Sequence, residues 1–313
     1  MKNVNIGKTG LNAFNIGLGA GVVGNAMMYP NVTEEMGKDL IHAAFDEGID
    51  FIDTAYLYGL GRSEKLIGEA VKQRGNREKI VISTKVSPSP EFVNGAVKTD
   101  IRPSALRKAA DEALIRLQTD YIDILFLHFP DSRTPLGEAA DALAQLKKEG
   151  KIRAVGASNL DFHQLQEFNA EGHLDVFQTE YSLLVRHAEE DILPYCREKN
   201  ISVIPFYPLA SGLLAGRYKH DDVFTDVSRS NHPLFQRQAF LENLEKVEKL
   251  KQFAGQKQAE PAQIALAWLL HQPGIDMIIP GATLPEQLRA NLKTADIHLS
   301  EDDLKQMDRM FGS

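Results

Sequence analysis

Short apolar segments alternate with longer amphipathic segments along most of the chain. The apolar segments are rich in Val and Ile, recur at intervals of roughly 25–45 residues and lack polar alternation, which is typical of parallel strands buried on both faces. We therefore predict eight strands: 15–20 (NIGLGA), 51–54 (FIDT), 80–85 (IVISTK), 122–128 (IDILFLH), 152–159 (IRAVGASN), 176–181 (VFQTEY), 201–206 (ISVIPF) and 276–281 (DMIIPG).

The segments between the predicted strands have the spacing and the end signals of helices. In residues 134–151 (TPLGEAADALAQLKKEGK), leucines and alanines recur on one helical face. Thr134 is predicted to cap this helix, Pro135 suits its first position, and Gly150 ends it. Segments 102–118 and 259–274 follow the same pattern.

Eight strands alternating with helices in 313 residues favour a single (β/α)8 TIM barrel of the α/β class over a doubly wound sheet. No linker composition divides the chain, so residues 1–313 are expected to form one domain. Residues 3–15 (NVNIGKTGLNAFN) predict a small β-hairpin before the barrel, with Lys8-Thr9-Gly10 as its turn. The GLGAG segment at 17–21 departs from the dinucleotide-binding G-x-G-x-x-G pattern, because Val22 replaces the last Gly and no helix follows directly.

Composition and charge narrow the possible functions. Hydrophobic residues make up 43% of the chain and charged residues 25%, as in an ordinary globular protein. No run of about 18 apolar residues and no signal-peptide pattern is present, so we expect a cytoplasmic protein with no membrane partner. The net charge of −8 argues against a nucleic-acid partner. The single cysteine, Cys196, excludes an internal disulfide and a Cys-based zinc site, and it is expected to pack as a small apolar side chain rather than to react. No metal is predicted, and we expect a monomer or weak oligomer.

Titratable side chains stand at the ends of three successive predicted strands. Asp53, Lys85 and His128 each end an apolar segment, and Tyr58 follows the first of them by five positions. In a barrel these ends converge on one mouth, where the chemistry takes place. Asp53 would compensate the charge of Lys85, and Lys85 would favour the phenolate of Tyr58, whose free pKa is about 10. The residues thus predict an acid that can protonate a developing alkoxide, with His128 orienting a carbonyl oxygen.

Three segments resemble blocks of the aldo-keto reductase superfamily, and the resemblance extends over nearly the whole chain. They are 48–70 (GIDFIDTAYLYGLGRSEKLIGEA), 150–159 (GKIRAVGASN) and 204–218 (IPFYPLASGLLAGRY). Within the superfamily, DYIDILFLHFPD and IDMIIPGA make the chain most similar to the bacterial inositol-operon (IolS-like) reductases. The resemblance implies that Asp53, Tyr58, Lys85 and His128 form the catalytic tetrad.

The resemblance also implies a nicotinamide cofactor, NADP(H) with NAD(H) possible, bound on a barrel without a Rossmann domain. Ser158, Asn159 and Gln178 would hydrogen-bond the carboxamide, and Phe206 would stack on the nicotinamide ring. The segment after Phe206 would hold the pyrophosphate, and residues 280–291 would surround the adenosine. The full set of implied cofactor-binding residues is Gly19, Ala20, Asp53, Ser158, Asn159, Gln178, Phe206, Leu209, Ser211, Gly212, Leu213, Arg217, Gly281, Ala282, Thr283, Gln287 and Asn291.

The sequence departs from the family pattern at the adenosine end. Many relatives have a basic residue in the stretch aligned with Gly281–Leu284, where it meets the 2′-phosphate of NADP; here the stretch reads Gly-Ala-Thr-Leu. A missing cation weakens phosphate recognition. Thr283 is expected to donate a hydrogen bond instead, and Arg289 is a second candidate for this contact.

The expected function is NAD(P)H-dependent reduction of a small aldehyde or ketone, with Tyr58 as general acid. Two alternatives remain open at this point. Lys85 would be the nucleophile of a Schiff-base lyase, or the protein would bind the nucleotide as a redox sensor or regulatory protein with little turnover. Candidate substrate-pocket residues are Val22, Tyr56, Phe129 and the loop 227–237, although Tyr56 is also expected to serve in packing.

Overall fold

The computed structural model describes residues 2–93, 96–224 and 226–312. Its centre is a seven-stranded parallel sheet with the strand order β3-β4-β5-β8-β9-β10-β11. The remaining strands form two antiparallel hairpins, β1–β2 and β6–β7. The strands are β1 Asn3–Asn5, β2 Asn12–Phe14, β3 Leu18–Gly19, β4 Phe51–Asp53, β5 Val81–Val86, β6 Glu91–Val93, β7 Ala96–Lys98, β8 Ile122–Leu127, β9 Ile152–Ser158, β10 Val176–Glu180 and β11 Ser202–Phe206.

The segment predicted as the eighth strand closes this sheet through single bridges. Ile278 and Gly281 pair in parallel with Ile16 and Gly19 on one edge, and Ile275 pairs with Val203 on the other. The sheet is therefore joined at both edges by one segment, and the fold is an α/β fold of the TIM-barrel type. The predicted barrel class is thus confirmed, although the first strand is shorter than its apolar pattern suggested and the segment predicted as the eighth strand forms only isolated bridges.

Helices surround the sheet and follow the predicted pattern. The α-helices are α1 Glu34–Asp46, α2 Arg62–Arg74, α3 Pro103–Leu117, α4 Leu136–Lys148, α5 Phe162–Phe168, α6 Ile192–Glu198, α7 Val227–Ser230, α8 Arg237–Gln256, α9 Pro261–Leu270, α10 Pro285–Leu292 and α11 Glu301–Phe311. Short 3-10 helices lie at Arg77–Lys79, His187–Glu189, Ala210–Ala215, Pro233–Phe235 and Lys293–Asp296. In the part of the chain that the structure describes, no helix combines the length and the apolar character needed to cross a bilayer.

The start of α4 differs from its prediction. Pro135 occupies the N-cap, and its own side chain makes no capping hydrogen bond. The hydroxyl of Thr134 instead donates to Asp131 Oδ2 at 3.0 Å. The first helical N–H, that of Leu136, donates to a carboxylate oxygen of Glu167 at 2.9 Å, so a residue distant in sequence performs the capping. Gly150 ends the helix as predicted, with a φ of +78° just beyond the C-cap.

The interior of the barrel is apolar at one end and polar at the other. The predicted N-terminal hairpin contributes Ile6, Leu11 and Ala13 to the apolar cluster that fills the amino end. Alternate strand residues point to the same side, so the inward row that includes Phe51 continues to Asp53. Likewise the row that includes Val81 continues to Ser83 and Lys85, and these polar groups therefore meet at the carboxyl end.

One glycine is required by this packing. A Cβ placed on Gly156 of β9 would lie 2.4 Å from the ring of Phe126, which occupies the barrel axis. Cys196 is buried on α6, so the prediction that it packs as a small apolar side chain is confirmed, and burial raises the pKa of its thiol to about 12.

Candidate active site

The four predicted catalytic side chains lie together at the carboxyl end of the barrel. Asp53 is the last residue of β4, Lys85 is the penultimate residue of β5, and His128 directly follows β8. Tyr58 lies in the loop between β4 and α2. Lys85 Nζ is 2.6 Å from Asp53 Oδ2 and 3.5 Å from the Tyr58 hydroxyl oxygen, and the rings of Tyr58 and His128 lie edge to face at 6.3 Å.

Asp53 is held by three side-chain donors. Besides Lys85, it accepts hydrogen bonds from Ser83 Oγ at 2.7 Å and from Gln178 Nε2 at 2.8 Å. The side chains of Asp53 and Lys85 are each only 3% exposed. An ionised carboxylate is tolerated in such a place only when it is paired and hydrogen-bonded, and here both conditions are met.

The net shift of the Tyr58 pKa in the free protein is opposite to the one expected from Lys85 alone. Burial and the nearby charge of Asp53 raise the pKa of Tyr58 well above its ordinary value of 10.0. Burial also lowers the pKa of Lys85, with Asp53 opposing this effect. The attraction of Lys85 for a phenolate does not outweigh burial and Asp53, because Lys85 lies closer to Asp53 and to the Thr54 carbonyl oxygen, at 2.9 Å, than to the phenol. Tyr58 is therefore protonated at neutral pH and holds the proton that a general acid must donate.

His128 is a neutral imidazole. Burial and the charge of Lys85 lower its pKa well below the ordinary value of 6.5. Its ring stacks on Phe129 at 4.6 Å, and its Nδ1 is buried without a hydrogen-bond partner among the described residues. A neutral ring can donate one N–H to a carbonyl oxygen without bringing a second positive charge beside Lys85.

A cavity of about 510 Å³ opens beside Tyr58 and runs across the barrel mouth. Many of the predicted cofactor-binding residues line it: Gly19, Asp53, Phe206, Leu209, Ser211, Gly212, Arg217, Gly281, Ala282, Thr283, Gln287 and Asn291. Its volume falls in the ordinary range for a small-molecule site. Asp53 and Tyr58 of the predicted tetrad thus line the same cavity as the predicted cofactor segments, whereas Lys85 and His128 are buried behind its wall.

Five predicted cofactor residues do not line this cavity. Ala20 and Leu213 are fully enclosed core side chains. Ser158 and Asn159 follow each other at the end of β9, where the Asn159 amide donates to Ser158 Oγ at 3.1 Å and to the His128 carbonyl oxygen at 3.0 Å. Gln178 of β10 pairs with Ser158 of β9, and its side-chain amide donates a hydrogen bond to Asp53.

The residues present fit a nicotinamide dinucleotide. The Gln178 side-chain amide donates through its nitrogen to Asp53. Its oxygen is buried without a partner among the described residues and could accept a hydrogen bond from the carboxamide of a ligand. Ser211 and Gly212 line the cavity with successive left-handed backbones, φ of 53° and 89°, and the Gly212 N–H donates to the Leu209 carbonyl oxygen at 2.9 Å. Arg217 lines the same cavity, and the structure shows no hydrogen bond or ion pair for it with any described residue. These groups suit a carboxamide at one end and a pyrophosphate further along.

The adenosine end has no basic side chain where the family pattern has one. Thr283 donates through its N–H and its hydroxyl to Gln287 Oε1, at 2.8 Å and 2.9 Å. Arg289, the other candidate for a phosphate contact, instead forms an ion pair with Glu47 at 2.7 Å and does not line the cavity. The expectation that Arg289 reaches the cofactor is therefore not supported by its position.

Several cavity residues were not found from the sequence. Tyr29, Tyr207 and Tyr218 line the cavity but belong to irregular segments, where no strand end or periodicity points to them. Tyr218 donates to the Ser211 carbonyl oxygen at 3.0 Å and accepts from Arg229 Nη1 at 2.7 Å, and these two bonds hold the segment that is predicted to bind the pyrophosphate.

The predicted substrate-pocket residues have mixed outcomes. Val22 lines the cavity. Tyr56 instead packs under the guanidinium of Arg116, 4.8 Å from its ring centre, as its alternative packing role predicted. Phe129 supports His128 and does not line the cavity. In the predicted loop 227–237, the side chains of residues 227 and 228 lie outside the described part, and Arg229 is the loop residue that reaches the cavity.

Comparison with known proteins agrees with this geometry. Residues 15–311 match the model of the aldo/keto reductase family. The chain belongs to the aldo/keto reductase family. It is similar to the NADH-specific methylglyoxal reductase of Escherichia coli, with 34% identity covering 99% of this chain and 98% of the relative. A glycerol dehydrogenase structure from Gluconobacter oxydans matches with a TM-score of 0.89 and 32% identity, covering 98% of this chain and 94% of that one. An aldo/keto reductase structure from Klebsiella pneumoniae, in complex with NADP and acetate, matches with a TM-score of 0.75 and 29% identity over 99% and 96%.

As an aldo/keto reductase, the protein is an oxidoreductase of a family that uses nicotinamide cofactors and reduces carbonyl compounds in general. The comparisons do not single out the inositol-operon subgroup, which stays a prediction. The Lys85 nucleophile of the lyase alternative has little geometric support, since its ammonium is enclosed and already bonded to Asp53 and Thr54.

Proposed function

We propose that this protein is an NAD(P)H-dependent reductase that converts a small aldehyde or ketone to an alcohol, with Tyr58 as the proton donor. The observation that supports it most directly is the placement of a protonated phenol on the wall of the cavity, 3.5 Å from an ammonium that a buried carboxylate holds. An acid in this position protonates the alkoxide that forms when a carbonyl carbon accepts a hydride.

Each residue of the cluster has a separate task. When bound, the dinucleotide supplies the hydride. Tyr58 donates its proton to the carbonyl oxygen, and the Lys85 ammonium stabilises the negative charge that develops on the phenol oxygen. Asp53 fixes the position of Lys85 and keeps it charged. His128 donates an N–H to the carbonyl oxygen and so orients the substrate. Arg217 and the Ser211–Gly212 backbone bind the pyrophosphate.

The finer features remain predictions. NADP(H) is the predicted cofactor, with NAD(H) as the alternative, and one relative is named NADH-specific while another was solved with NADP. Relatives named for methylglyoxal and glycerol favour small polar substrates for this chain as well. A cytoplasmic location, the absence of a nucleic-acid partner and a monomeric or weakly oligomeric state are predicted from the sequence alone, and residues 1–313 are predicted to form one domain.

The decisive variant is Tyr58→Phe, which removes the acidic proton and keeps the ring. We expect carbonyl reduction to fall by about 10²–10⁴-fold, the usual contribution of a positioned acid, while calorimetry shows unchanged cofactor affinity. Tyr121→Phe, a change at the amino end of β8, is the matched control. If Tyr58→Phe kept wild-type turnover, the proposed acid would be wrong. If the wild type bound cofactor but turned over no aldehyde, the redox-sensing alternative would replace the reductase.

A further inference from the structure

One carboxylate outside the predicted tetrad, that of Glu64, is completely buried between α2 and β5. It lies in the first turn of α2, and its side chain has no exposed surface. Glu64 Oε1 accepts a hydrogen bond from the Thr84 hydroxyl at 2.7 Å, and Oε2 pairs with Arg116 Nε at 2.6 Å. Burying a carboxylate this completely is costly unless its oxygens are satisfied, and these two bonds satisfy both of them.

Glu64 directly follows the loop that carries Tyr58, and backbone hydrogen bonds fix this loop at both sides. Ser63 N–H, next to Glu64 in the chain, donates to the Tyr58 carbonyl oxygen at 3.2 Å. Tyr56 N–H donates to the Lys85 carbonyl oxygen at 3.0 Å. The proton donor is thus carried by a short loop that is bonded to β5 on one side and to the start of α2 on the other.

Arg116 reaches Glu64 from α3 by passing over the same loop. Its guanidinium lies 4.8 Å from the centre of the Tyr56 ring, and its side chain is mostly buried. Gly61 leaves room for it, since a Cβ at this position would lie 2.6 Å from the Arg116 Cδ atom. Glu64 therefore joins α2, α3 and β5 at the point where the loop of Tyr58 ends.

Glu64 also acts on the charge of Lys85, from the other face of β5. Its hydrogen-bond partner Thr84 precedes Lys85 on that strand, so these two strand residues point in opposite directions. Burial lowers the pKa of Lys85, and Asp53 and Glu64 both oppose this effect. Burial raises the pKa of Glu64, and Arg116 and Lys85 oppose that effect. The ammonium is therefore stabilised by two carboxylates.

The other ionisable groups nearby do not duplicate this stabilisation. Tyr58 and His128 face Lys85 from the loop and from the end of β8, and at neutral pH the phenol is protonated and the imidazole is neutral. On the helix side, Glu112 lies 3.9 Å from Arg116 and is 49% exposed. Among the described residues, the two carboxylates named above are the anions that act on the ammonium.

We propose that Glu64 is a positioning residue of the reductase. Its carboxylate fixes the start of α2 against β5 and keeps the Lys85 ammonium charged, so that Tyr58 stays in place and can give up its proton. This inference rests on the proposed reductase function. Glu64 does not line the cavity, so it acts through Lys85 and the loop rather than on the substrate.

The test is the pH dependence of kcat/KM for 4-nitrobenzaldehyde at saturating NADPH. Because the pKa of Lys85 is lowered and that of Tyr58 is raised, the loss of activity at high pH reports the deprotonation of Lys85. Glu64→Gln removes the negative charge, so this loss should begin at a pH lower by about 0.5–1 pH unit. Glu64→Asp keeps the charge and should restore the wild-type position.

Two further variants separate this role from stability alone. Asp123→Asn removes a different buried carboxylate with an arginine partner, Arg77 at 2.7 Å, at the amino end of β8. It should lower the melting temperature but keep the wild-type pH profile. The double variant Glu64→Gln/Arg116→Met leaves neither charge of the pair unpaired, so it replaces Glu64→Gln if that single variant does not fold. Its profile should also move to lower pH, because Arg116 is not among the charges that act on Lys85.

Each outcome has a defined reading. A profile that moves in Glu64→Gln and is restored in Glu64→Asp supports the proposal. An unmoved profile in Glu64→Gln, or in the double variant where the single one does not fold, overturns it. An equal movement in Glu64→Asp or in Asp123→Asn also overturns it, because the charge of Glu64 would then not be the cause. A wild type that reduces no carbonyl compound overturns the proposed function, and this inference with it.

Discussion

Replacing Asp53 by Asn should destabilise the protein far more than the same change in an exposed ion pair. The Asp53 carboxylate lies 2.6 Å from Lys85 Nζ, and both side chains are 3% exposed. At that separation and an effective dielectric constant of about 20, the attraction is about 6 kcal/mol. Asn keeps one acceptor oxygen, but its amide N–H group must then face Ser83 or Gln178, which now donate to Asp53.

Lys85 will relieve part of this cost by losing its proton. Its pKa is already lowered by burial, and without Asp53 it falls further below the unfolded value. A folded pKa below the unfolded one means that stability is lost as the pH falls from about 10 toward the folded pKa. We therefore expect Asp53→Asn to lower the free energy of unfolding by about 3–5 kcal/mol at pH 7 and by clearly less at pH 10.

Denaturant unfolding at both pH values, followed by circular dichroism, measures this loss. Asp100→Asn breaks an exposed pair with Arg102 and should cause no measurable change. Adding Lys85→Met to Asp53→Asn should recover part of the loss, because the unpaired ammonium is then gone. A loss below about 1 kcal/mol at pH 7, or one that does not change between the two pH values, would refute the reasoning about the buried pair.

Two other expectations concern titration and the cofactor. His128 has a folded pKa below its unfolded one, so the wild type should lose stability as the pH falls below about 6.5. The free energy of unfolding of His128→Gln should depend less steeply on pH. An equal dependence in both proteins would contradict the neutral ring. Because no basic side chain lines the cavity between Gly281 and Asn291, calorimetry should show less than about tenfold preference for NADPH over NADH. Thr283→Arg should raise this preference, whereas Arg217→Met should weaken the binding of NADPH and NADH equally. A Thr283→Arg variant with unchanged preference would contradict the assignment of the adenosine end.

The barrel class and the clustering of the predicted catalytic side chains followed from the sequence because both depend on regular structure. Apolar segments buried on both faces identify parallel strands, and the residue that ends each strand must lie at the same mouth. Asp53, Lys85 and His128 were found by that rule alone. The balance of charges around Tyr58 could not be found in this way, because it depends on distances of an ångström among Lys85, Asp53 and the Thr54 carbonyl oxygen.

Irregular segments account for what the sequence did not predict. Tyr29 and Tyr207 face the cavity from a hydrogen-bonded turn and from a residue with a left-handed backbone, and neither leaves a periodic signal. Arg289 forms an ion pair with Glu47, a residue distant in sequence, and therefore does not face the cavity. The predicted cap of α4 was wrong for the same reason. Glu167, whose carboxylate accepts from the Leu136 N–H, lies about thirty positions later in the sequence.

The way in which the barrel is joined has a consequence for synthesis of the protein. Gly17 N–H donates to the Ile278 carbonyl oxygen at 2.9 Å, and Ile278 N–H donates to the Asn15 carbonyl oxygen at 3.0 Å. Gly7 N–H likewise reaches the Asp276 carboxylate at 3.1 Å. Residues 7–17 therefore leave the ribosome about 260 positions ahead of residues 276–278, and this sheet edge stays open until the later residues emerge. Nascent chains arrested before residue 275 should be the species most prone to aggregate and most in need of a chaperone.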